Sequence, residues 1–396
     1  MNKQKPTTNT NLQATNPPLY LSNYTPLHKM NISPHPNPSY TLAYITALPH
    51  ELTTAITLLD VLHGIPQSQP AEDNNAYILG RIGNHNVVMT CLPAGRMGIG
   101  AAATVGEGLR RTFAGVRWGV LVGVGGGVSC FHSGEGGRKG GKEVRLGDVV
   151  VGVPGGGWGG VVQYDLGNGE GQLNAPPEKL LGYVTMVNCL MRNPKVERNC
   201  LEEILGELGE EYAYPGHVED RLFCSGEKRE STLPVVHVGT IASGNTVIGD
   251  GVTRDRICSR YKGSILCFEM EAAGLVNTLP CLVIRGISDY ADVHKNDEWR
   301  LRAVAAAASY AKALILHIPP EEVPHQEVGQ VTELVKEIKE LRGELTHIKA
   351  TLENGLSSIS YSLWNLQGSK YKVWKEFFQW LLPYGFGKQQ RRLKEN

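Results

Sequence analysis

The sequence lacks a net charge, a long apolar run and an N-terminal targeting pattern. Its 39 basic and 39 acidic side chains balance, whereas nucleic-acid-binding proteins usually carry a basic face, so no nucleic-acid partner is expected. Nowhere do about 18 apolar residues run together, so no segment is expected to span a membrane. The chain does not open on a basic, then apolar, then small-residue pattern, which argues against a secretory signal.

Cysteine pairs at metal or redox spacing are also lacking. The eight cysteines include no C-x-x-C pair, and no histidine cluster has the spacing of a zinc site. Several cysteines lie in apolar, strand-like runs, where cysteine behaves as a small hydrophobe. The sequence therefore predicts reduced core thiols in a cytoplasmic or nuclear protein, with no metal and no cofactor.

Changes in composition along the chain divide it into four segments. Residues 1–39 are rich in Asn, Thr, Pro and Ser and have no hydrophobic period, which predicts a disordered arm. Over residues 40–320, apolar strands such as "YTLAYITAL" and "PCLVIRGISD" alternate with helical patterns such as "HELTTAITLLDVL" and "RAVAAAASYAKALIL". This alternation predicts one α/β domain with a mixed central sheet flanked by helices.

The remaining segments are residues 328–362 and 363–396. Both have helical patterns, and each is predicted to contact the domain, another protein chain or a membrane. Apolar residues recur at alternating spacings of three and four at Val331, Leu334, Ile338, Leu341, Leu345, Ile348 and Leu352. This pattern predicts a two- or three-stranded coiled coil and a homo-oligomer, with a helix docked on the domain as the alternative. The aromatic and basic tail after it could pack on the domain, bind a partner or contact a membrane.

Acidic residues follow three of the predicted strands. Glu269 and Glu271 close "SILCFEME", Asp289 closes "CLVIRGISD" after Ser288, and Glu51 follows the first strand in "ITALPHEL". Each acid alone is explained by helix capping or surface charge. Because ligands of open α/β sheets collect at the carboxyl ends of strands, the three positions together predict a site.

The spacing within "CFEMEAAG" carries a further expectation. Residues i and i+2 of a strand point to one face, so Glu269 and Glu271 are expected to point together while Phe268 and Met270 turn away. Arg285, on the strand that ends at Asp289, could form a buried ion pair with one of these acids.

Several motifs in order resemble the purine nucleoside phosphorylase/uridine phosphorylase superfamily. They are "ITALPHE", "VGVGGGV" followed by "RLGDVVV", "CFEMEAAG" and "RGISDYAD", and the similarity runs from about Tyr40 to Ile318. Within the superfamily they look most like the methylthioadenosine/S-adenosylhomocysteine nucleosidase branch. The wording "LGRIGNHNVV", "VVQYDLG" and "IASGN" is similar to nucleoside phosphorylase domains at the front of fungal multidomain immune-type receptors.

This resemblance implies cleavage of the N-glycosidic bond of a purine, here adenine, nucleoside or nucleotide. By analogy Glu271 holds the ribose hydroxyls, Met270 packs on the sugar, Asp289 beside Ser288 protonates the base, and Glu51 activates water. The chemistry fits, since a carboxylate stabilises the positive charge that develops on the sugar and a positioned carboxylate is a suitable base for water.

The nucleophile distinguishes hydrolysis from the alternative, phosphorolysis. Phosphorylases of this fold carry an arginine on the strand before the Gly-rich turn, where this sequence has apolar Leu121 and Val122, which favours hydrolysis. Arg96 could still bind phosphate. A third possibility is a weakly catalytic nucleotide-sensing scaffold that the coiled coil oligomerises.

Further substrate contacts are expected from the Gly-rich turn and from the loop after "IASGN". They are Gly123, Val124, Gly125, Val247 and Ile248. Val124 replaces a serine, and Val247 an aromatic residue, that are usual in the nucleosidases. If the substrate is a nucleotide, even ATP, then Arg96, Arg254, Arg256 or Lys295 would lie near its phosphates.

Overall fold

The structure is a computed structural model that describes residues 30–128, 143–166, 173–193, 195–196, 200–216, 231–320 and 325–365, with side chains of the last segment described over 338–358. Most of the predicted arm and the tail beyond residue 365 lie outside the described residues. The chain divides into two units, Met1–Glu322 and Val323–Asn396.

The first unit alternates strands and helices. Its strands are β1 (Leu42–Thr46), β2 (Val61–Gly64), β3 (Tyr77–Ile82), β4 (His85–Cys91), β5 (Trp118–Gly127), β6 (Val149–Gly152), β7 (Val161–Gln163), β8 (Val236–Ser243), β9 (Ile265–Glu269) and β10 (Cys281–Asp289). Its helices are α1 (Pro49–Thr57), α2 (Ile99–Thr112), α3 (Glu178–Arg192), α4 (Cys200–Gly206), α5 (Gly251–Arg260), α6 (Ala272–Leu275) and α7 (Arg300–His317). The predicted mixed sheet flanked by helices is confirmed.

One predicted helix is shorter than expected. The pattern "HELTTAITLLDVL" predicts a helix through Leu62, but α1 ends at Thr57, and Val61 and Leu62 belong to β2. Val61 pairs with Arg81 and Leu62 with Gly80 of β3 in an antiparallel ladder. Helical periodicity was misleading at this end because pairing with β3 supplies the backbone hydrogen bonds instead.

Five strands of the sheet close on themselves. β10 pairs with both β5 and β6, and the path continues from β6 through β8 and β9 back to β5. From β5 the sheet extends through β1 and β4 to β3 and β2. β1, β5 and β10 run parallel, so their carboxyl ends meet at one edge. The chain segments that follow β1 and β10 therefore leave the sheet at the same edge, on either side of β5.

Both faces of the central sheet are buried. Ile45 and Leu121 belong to one apolar cluster, whereas their neighbours Tyr44 and Val120 belong to another. Because successive side chains of a strand point to opposite faces, helices must cover both sides of β1 and β5. This double coverage explains why the strand sequences are apolar throughout.

Helix α7 lies close to β10 because small residues form the contact. The side chains of residues 303–308 are buried alanine and valine. At Gly286 of β10, an added Cβ atom would lie 1.8 Å from the carbonyl oxygen of Ala303, so only glycine permits this approach. The contact holds the start of α7 near the end of β10.

The second unit contains one long helix, α8 (His325–Asn365). Among its described side chains, Ile338, Leu341, Leu345, Ile348 and Leu352 are all more than half exposed. Among the described residues, no helix is both long and apolar enough to cross a membrane.

Candidate active site

A cavity of about 160 Å³ lies at the carboxyl ends of β1, β5, β9 and β10. It brings together most of the site residues predicted from the sequence: Glu51, Val124, Gly125, Val247, Ile248, Met270, Glu271, Ser288 and Asp289. Glu51 and Glu271 lie more than two hundred residues apart in the sequence. They and Asp289 line one cavity because the strands that precede them end at the same edge of the sheet.

Four predicted residues do not line the cavity: Arg96, Gly123, Arg254 and Arg256. Arg96 is exposed, and its neighbour Met97 contributes to the lining instead. Gly123 does not reach the cavity surface. A Cβ atom added there would come within 2.5 Å of Glu51 Oε1 and 2.6 Å of Arg285 Nη1. A glycine is therefore needed at this position because the buried side chains of Glu51 and Arg285 meet there.

Glu51 is held by backbone donors from the turn between β1 and α1 and from β5. Its Oε2 atom accepts hydrogen bonds from the N–H groups of Ala47 and Leu48, both at 2.9 Å, and Oε1 accepts one from Val124 at 2.8 Å. The side chain is 2% exposed. Burial raises the pKa of Glu51, although Arg285 and the backbone donors act in the opposite direction. The carboxyl group is thus fixed in orientation and is more basic than an exposed glutamate.

Arg285 is buried in β10 and connects the acids of the β9 end. Its Nη2 atom lies 2.5 Å from Glu269 Oε2 and 3.5 Å from Glu271 Oε2. Glu269 also accepts hydrogen bonds from the N–H groups of Glu271 and Ala272. Glu269 therefore pairs with the arginine and fixes the turn into α6, as the ion-pair interpretation anticipated.

Glu271 is buried beside other charged groups. Its Oε1 atom accepts a long hydrogen bond, 3.3 Å, from the N–H group of Gly98. Burial raises the pKa of Glu271 to about 7, with Glu269 and Glu51 adding to the effect and Arg285 opposing it. Since one guanidinium serves several carboxylates, Glu271 holds its proton into the neutral range.

Asp289 closes β10 and has three donors around it. Its Oδ1 atom accepts a hydrogen bond from the N–H group of Ala291, and Oδ2 accepts one from the hydroxyl of Ser288, both at 2.9 Å. The ammonium of Lys295 lies 3.0 Å from the same Oδ2 atom. Lys295 is 43% exposed while Asp289 is 4% exposed, so the ion pair joins a long surface side chain to a buried carboxyl group.

The expected alternation in "FEME" does not extend through the motif. Phe268 and Met270 line the cavity together with Glu269 and Glu271, although the spacing of two predicted opposite faces. β9 ends at Glu269, and the chain turns at the next residue before α6 begins. The period of two applies only within a strand, which explains why the expectation is wrong for Met270. It is also wrong for Phe268, which lies within β9 and lines the cavity next to Glu269.

Apart from Lys295, sequence reasoning missed the segment from the end of β10 to the start of α7. Asn296, Asp297 and Arg300 also line the cavity, and Arg300 forms an ion pair with Asp297. A polar run, "HKNDEWR", follows a strand that already ended in a predicted site residue. The strand-end rule used for Asp289 could have been extended to this loop.

The arrangement combines one buried base candidate, carboxylates near a single guanidinium, and a further carboxyl group at the carboxyl end of β10. Such a set can move protons and stabilise positive charge on a bound molecule. In the described part of the chain, no cluster of His, Cys, Asp and Glu side chains is arranged to hold a metal ion.

Comparisons with known proteins identify similar chains. The family model of the phosphorylase superfamily matches residues 41–318. A nucleotide-binding leucine-rich repeat (NLR)-like protein from Hyaloscypha variabilis is 38% identical over 338 residues, which cover 78% of this chain and 33% of that protein. The chain thus spans about a third of the length of this relative.

Solved structures with similar folds have low sequence identity. The 5′-methylthioadenosine/S-adenosylhomocysteine nucleosidase of Neisseria meningitidis matches at TM-score 0.48 and 18% identity, covering 70% of this chain and 99% of its own. The corresponding enzyme of S. pneumoniae matches at 0.48 and 20%, covering 70% and 100%. The futalosine hydrolase of Helicobacter pylori matches at 0.45 and 17%, covering 70% and 97%.

Proposed function

The chain belongs to the phosphorylase superfamily, as its motifs indicated, and we propose that it hydrolyses the N-glycosidic bond of an adenine nucleoside or nucleotide. One observation carries this proposal: Glu51, Glu271 and Asp289 line the same cavity. Glycosidic cleavage needs a nucleophile, stabilisation of the sugar and protonation of the departing base. The three acids offer one group for each requirement.

Glu51 is proposed to activate the attacking water. A general base must be oriented and must have a pKa that approaches the working pH. The three backbone donors hold the carboxylate of Glu51, and burial raises its pKa. A water that lies between Glu51 and the anomeric carbon would donate its proton to the carboxylate as it attacks.

Glu271 is proposed to accept hydrogen bonds from the ribose hydroxyls. Positive charge develops on the sugar as the bond to the base breaks, and a nearby carboxylate stabilises that charge more than it stabilises the neutral ground state. Arg285 orients Glu271 from behind and limits the repulsion among the acids. Met270, which precedes Glu271 and lines the cavity, would pack against the sugar.

Asp289 is proposed to deliver a proton to the purine at N7. Protonation lets the base leave as a neutral molecule, and this suits adenine, whose N7 is an acceptor. The Ser288 hydroxyl and the Ala291 N–H group fix the carboxyl group of Asp289. Substrate must compete with the Lys295 ammonium for Asp289 Oδ2, so Lys295 is expected to move when the base binds.

The charge balance of the cavity favours water over phosphate as nucleophile. Arg285 already pairs with Glu269, and Leu121 and Val122 are buried apolar residues at the strand position where an arginine would be needed. Phosphate beside Glu51 and Glu271 would meet like charge. Hydrolysis is therefore the proposal, and phosphorolysis is the alternative that the assay below tests.

The choice between nucleoside and nucleotide depends on the segment after β10. Lys295 and Arg300 line the cavity, so they are the cations that 5′-phosphates would meet. Both already have acidic partners, Asp289 and Asp297. If the phosphate groups of a nucleotide replaced Asp289 and Asp297 as the partners of Lys295 and Arg300, the site would bind a nucleotide in preference to a nucleoside.

Chromatographic detection of free adenine tests the proposal directly. The full chain is incubated with adenosine, 5′-methylthioadenosine, AMP and ATP, each with and without inorganic phosphate. We expect base release without phosphate, and we expect Asp289→Asn to lower the rate by about 10²- to 10⁴-fold. Asparagine suits this position because its amide oxygen can accept from Ala291 and its NH₂ group can donate to Ser288.

Two results would contradict parts of this proposal. Strict dependence on phosphate would replace hydrolysis with phosphorolysis. If no compound of the panel is cleaved, and Asp289→Asn and Glu271→Gln leave the affinity for every bound compound unchanged, the scaffold interpretation replaces the enzymatic one.

A further inference from the structure

The apolar side chains of α8 form an exposed stripe. Ile338, Leu341, Leu345, Ile348 and Leu352 are 56–71% exposed. We propose that this stripe is the seam of a parallel, in-register coiled coil between copies of this chain. The inference concerns the second unit and does not depend on the catalytic proposal.

The apolar stripe is narrow, which indicates that it packs against the α8 helix of a second copy of the chain. In the heptad register that puts Ile338 at position a, Leu341 is d, Leu345 is a, Ile348 is d and Leu352 is a. Between residues 338 and 353 every other position is polar, glycine or alanine. A helix that docks on a globular surface needs a broader apolar face, whereas an a/d stripe alone fits a coiled-coil seam.

The charges that flank the stripe select the parallel orientation. In a parallel coil, each g residue faces the e residue of the next heptad on the partner helix. Glu344 is at g and Lys349 is the matching e residue. In register, this pair joins opposite charges.

The antiparallel arrangement would reverse this balance. There, g residues face g residues and e residues face e residues, so Glu344 would no longer face Lys349, and Arg342 and Lys349 would lie among e residues that are themselves cations. Like charges across such a seam are destabilising. The same positions that favour a parallel pair therefore oppose the antiparallel one.

A substitution in the stripe tests whether it is an interface. The association state of the full chain is measured by sedimentation velocity from 0.5 to 50 µM, an interval of about a hundredfold chosen to bracket dissociation constants near 1 µM. Leu345→Asp should lower the association number, while Thr346→Asp, the same new side chain at the adjacent b position, should leave it unchanged. A monomeric wild-type chain, or equal masses for wild type and Leu345→Asp, would overturn the proposal.

Charge exchange tests the orientation. At low salt, Glu344→Lys should weaken association of α8 about tenfold, because it makes two repulsive contacts with Lys349 in each parallel pair. Glu344→Lys combined with Lys349→Glu should restore wild-type association. Glu340→Lys, at the outward c position, is the matched control. If Glu344→Lys associates as tightly as Glu340→Lys, the parallel assignment is wrong.

Discussion

The raised pKa of Glu271 makes a quantitative prediction about folding stability. Glu271 binds its proton more tightly in the folded chain than in the unfolded chain, because burial and neighbouring carboxylates disfavour its charged form. The stabilisation from this proton is fully present below pH 4.5. It is lost as the pH rises through about 7, so the ionised glutamate weakens the folded state at neutral and alkaline pH.

Glu271→Gln should remove that cost, since glutamine does not ionise. A pKa of about 7 in place of 4.5 corresponds to about 3 kcal/mol at 1.4 kcal/mol per pH unit. The interactions that the glutamate side chain makes are long, 3.3 Å to the Gly98 N–H group and 3.5 Å to the Arg285 guanidinium, so replacing it sacrifices little. The variant should therefore gain about 2–3 kcal/mol relative to wild type between pH 5 and pH 8.5, while catalytic activity falls.

Urea unfolding of the full chain, followed by tryptophan fluorescence at several pH values, measures this difference. Glu107→Gln makes the same chemical change on the exposed side of α2 and is the matched control. The free energy of unfolding of Glu271→Gln minus that of wild type should rise from pH 5 to pH 8.5. If this difference is constant or falls with pH, the assignment of surplus negative charge to this site is wrong.

Three further substitutions test the same cavity. Glu51→Gln should lower the rate of base release by about 10²- to 10⁴-fold in chromatographic assays, and an unchanged rate would exclude Glu51 as the base. Gly123→Ala should destabilise the chain by about 1–3 kcal/mol in urea unfolding, because Glu51 and Arg285 must move. Gly182→Ala, in open space on α3, should instead be neutral or stabilising by up to about 1 kcal/mol. Arg285→Met should cost about 3–5 kcal/mol at pH 8 and less at pH 5.5, and a cost independent of pH would contradict its role as shared counter-ion.

The central sheet and the cavity acids were predictable because local patterns record them. Apolar runs predicted buried strands, and the strand-end rule brought Glu51, Glu271 and Asp289 together without any knowledge of strand order. The motifs also indicated the superfamily and a similarity to receptor-type fungal proteins, both of which the comparisons bear out.

Features that depend on tertiary pairing were not predictable in the same way. Nothing in "LLDVL" indicates that β3 lies beside Val61, and this pairing decides where α1 ends. Likewise, the position of Met270 in the cavity lining depends on the turn after β9, and the closure of β5 through β10 back to β9 has no local sequence signal. Arg300 reaches the cavity because α7 packs against Gly286, a contact between distant backbones.

The surplus negative charge links the stability of the site to its proposed chemistry. Glu51, Glu269 and Glu271 share the guanidinium of Arg285, an arrangement that folding alone does not favour. A sugar that becomes positively charged would relieve this imbalance, whereas phosphate would increase it. The same electrostatic feature therefore accounts for the raised pKa of Glu271 and supports the proposal that water is the nucleophile. If base release required phosphate, the stability result for Glu271→Gln could still hold, but the surplus charge would no longer explain the choice of nucleophile.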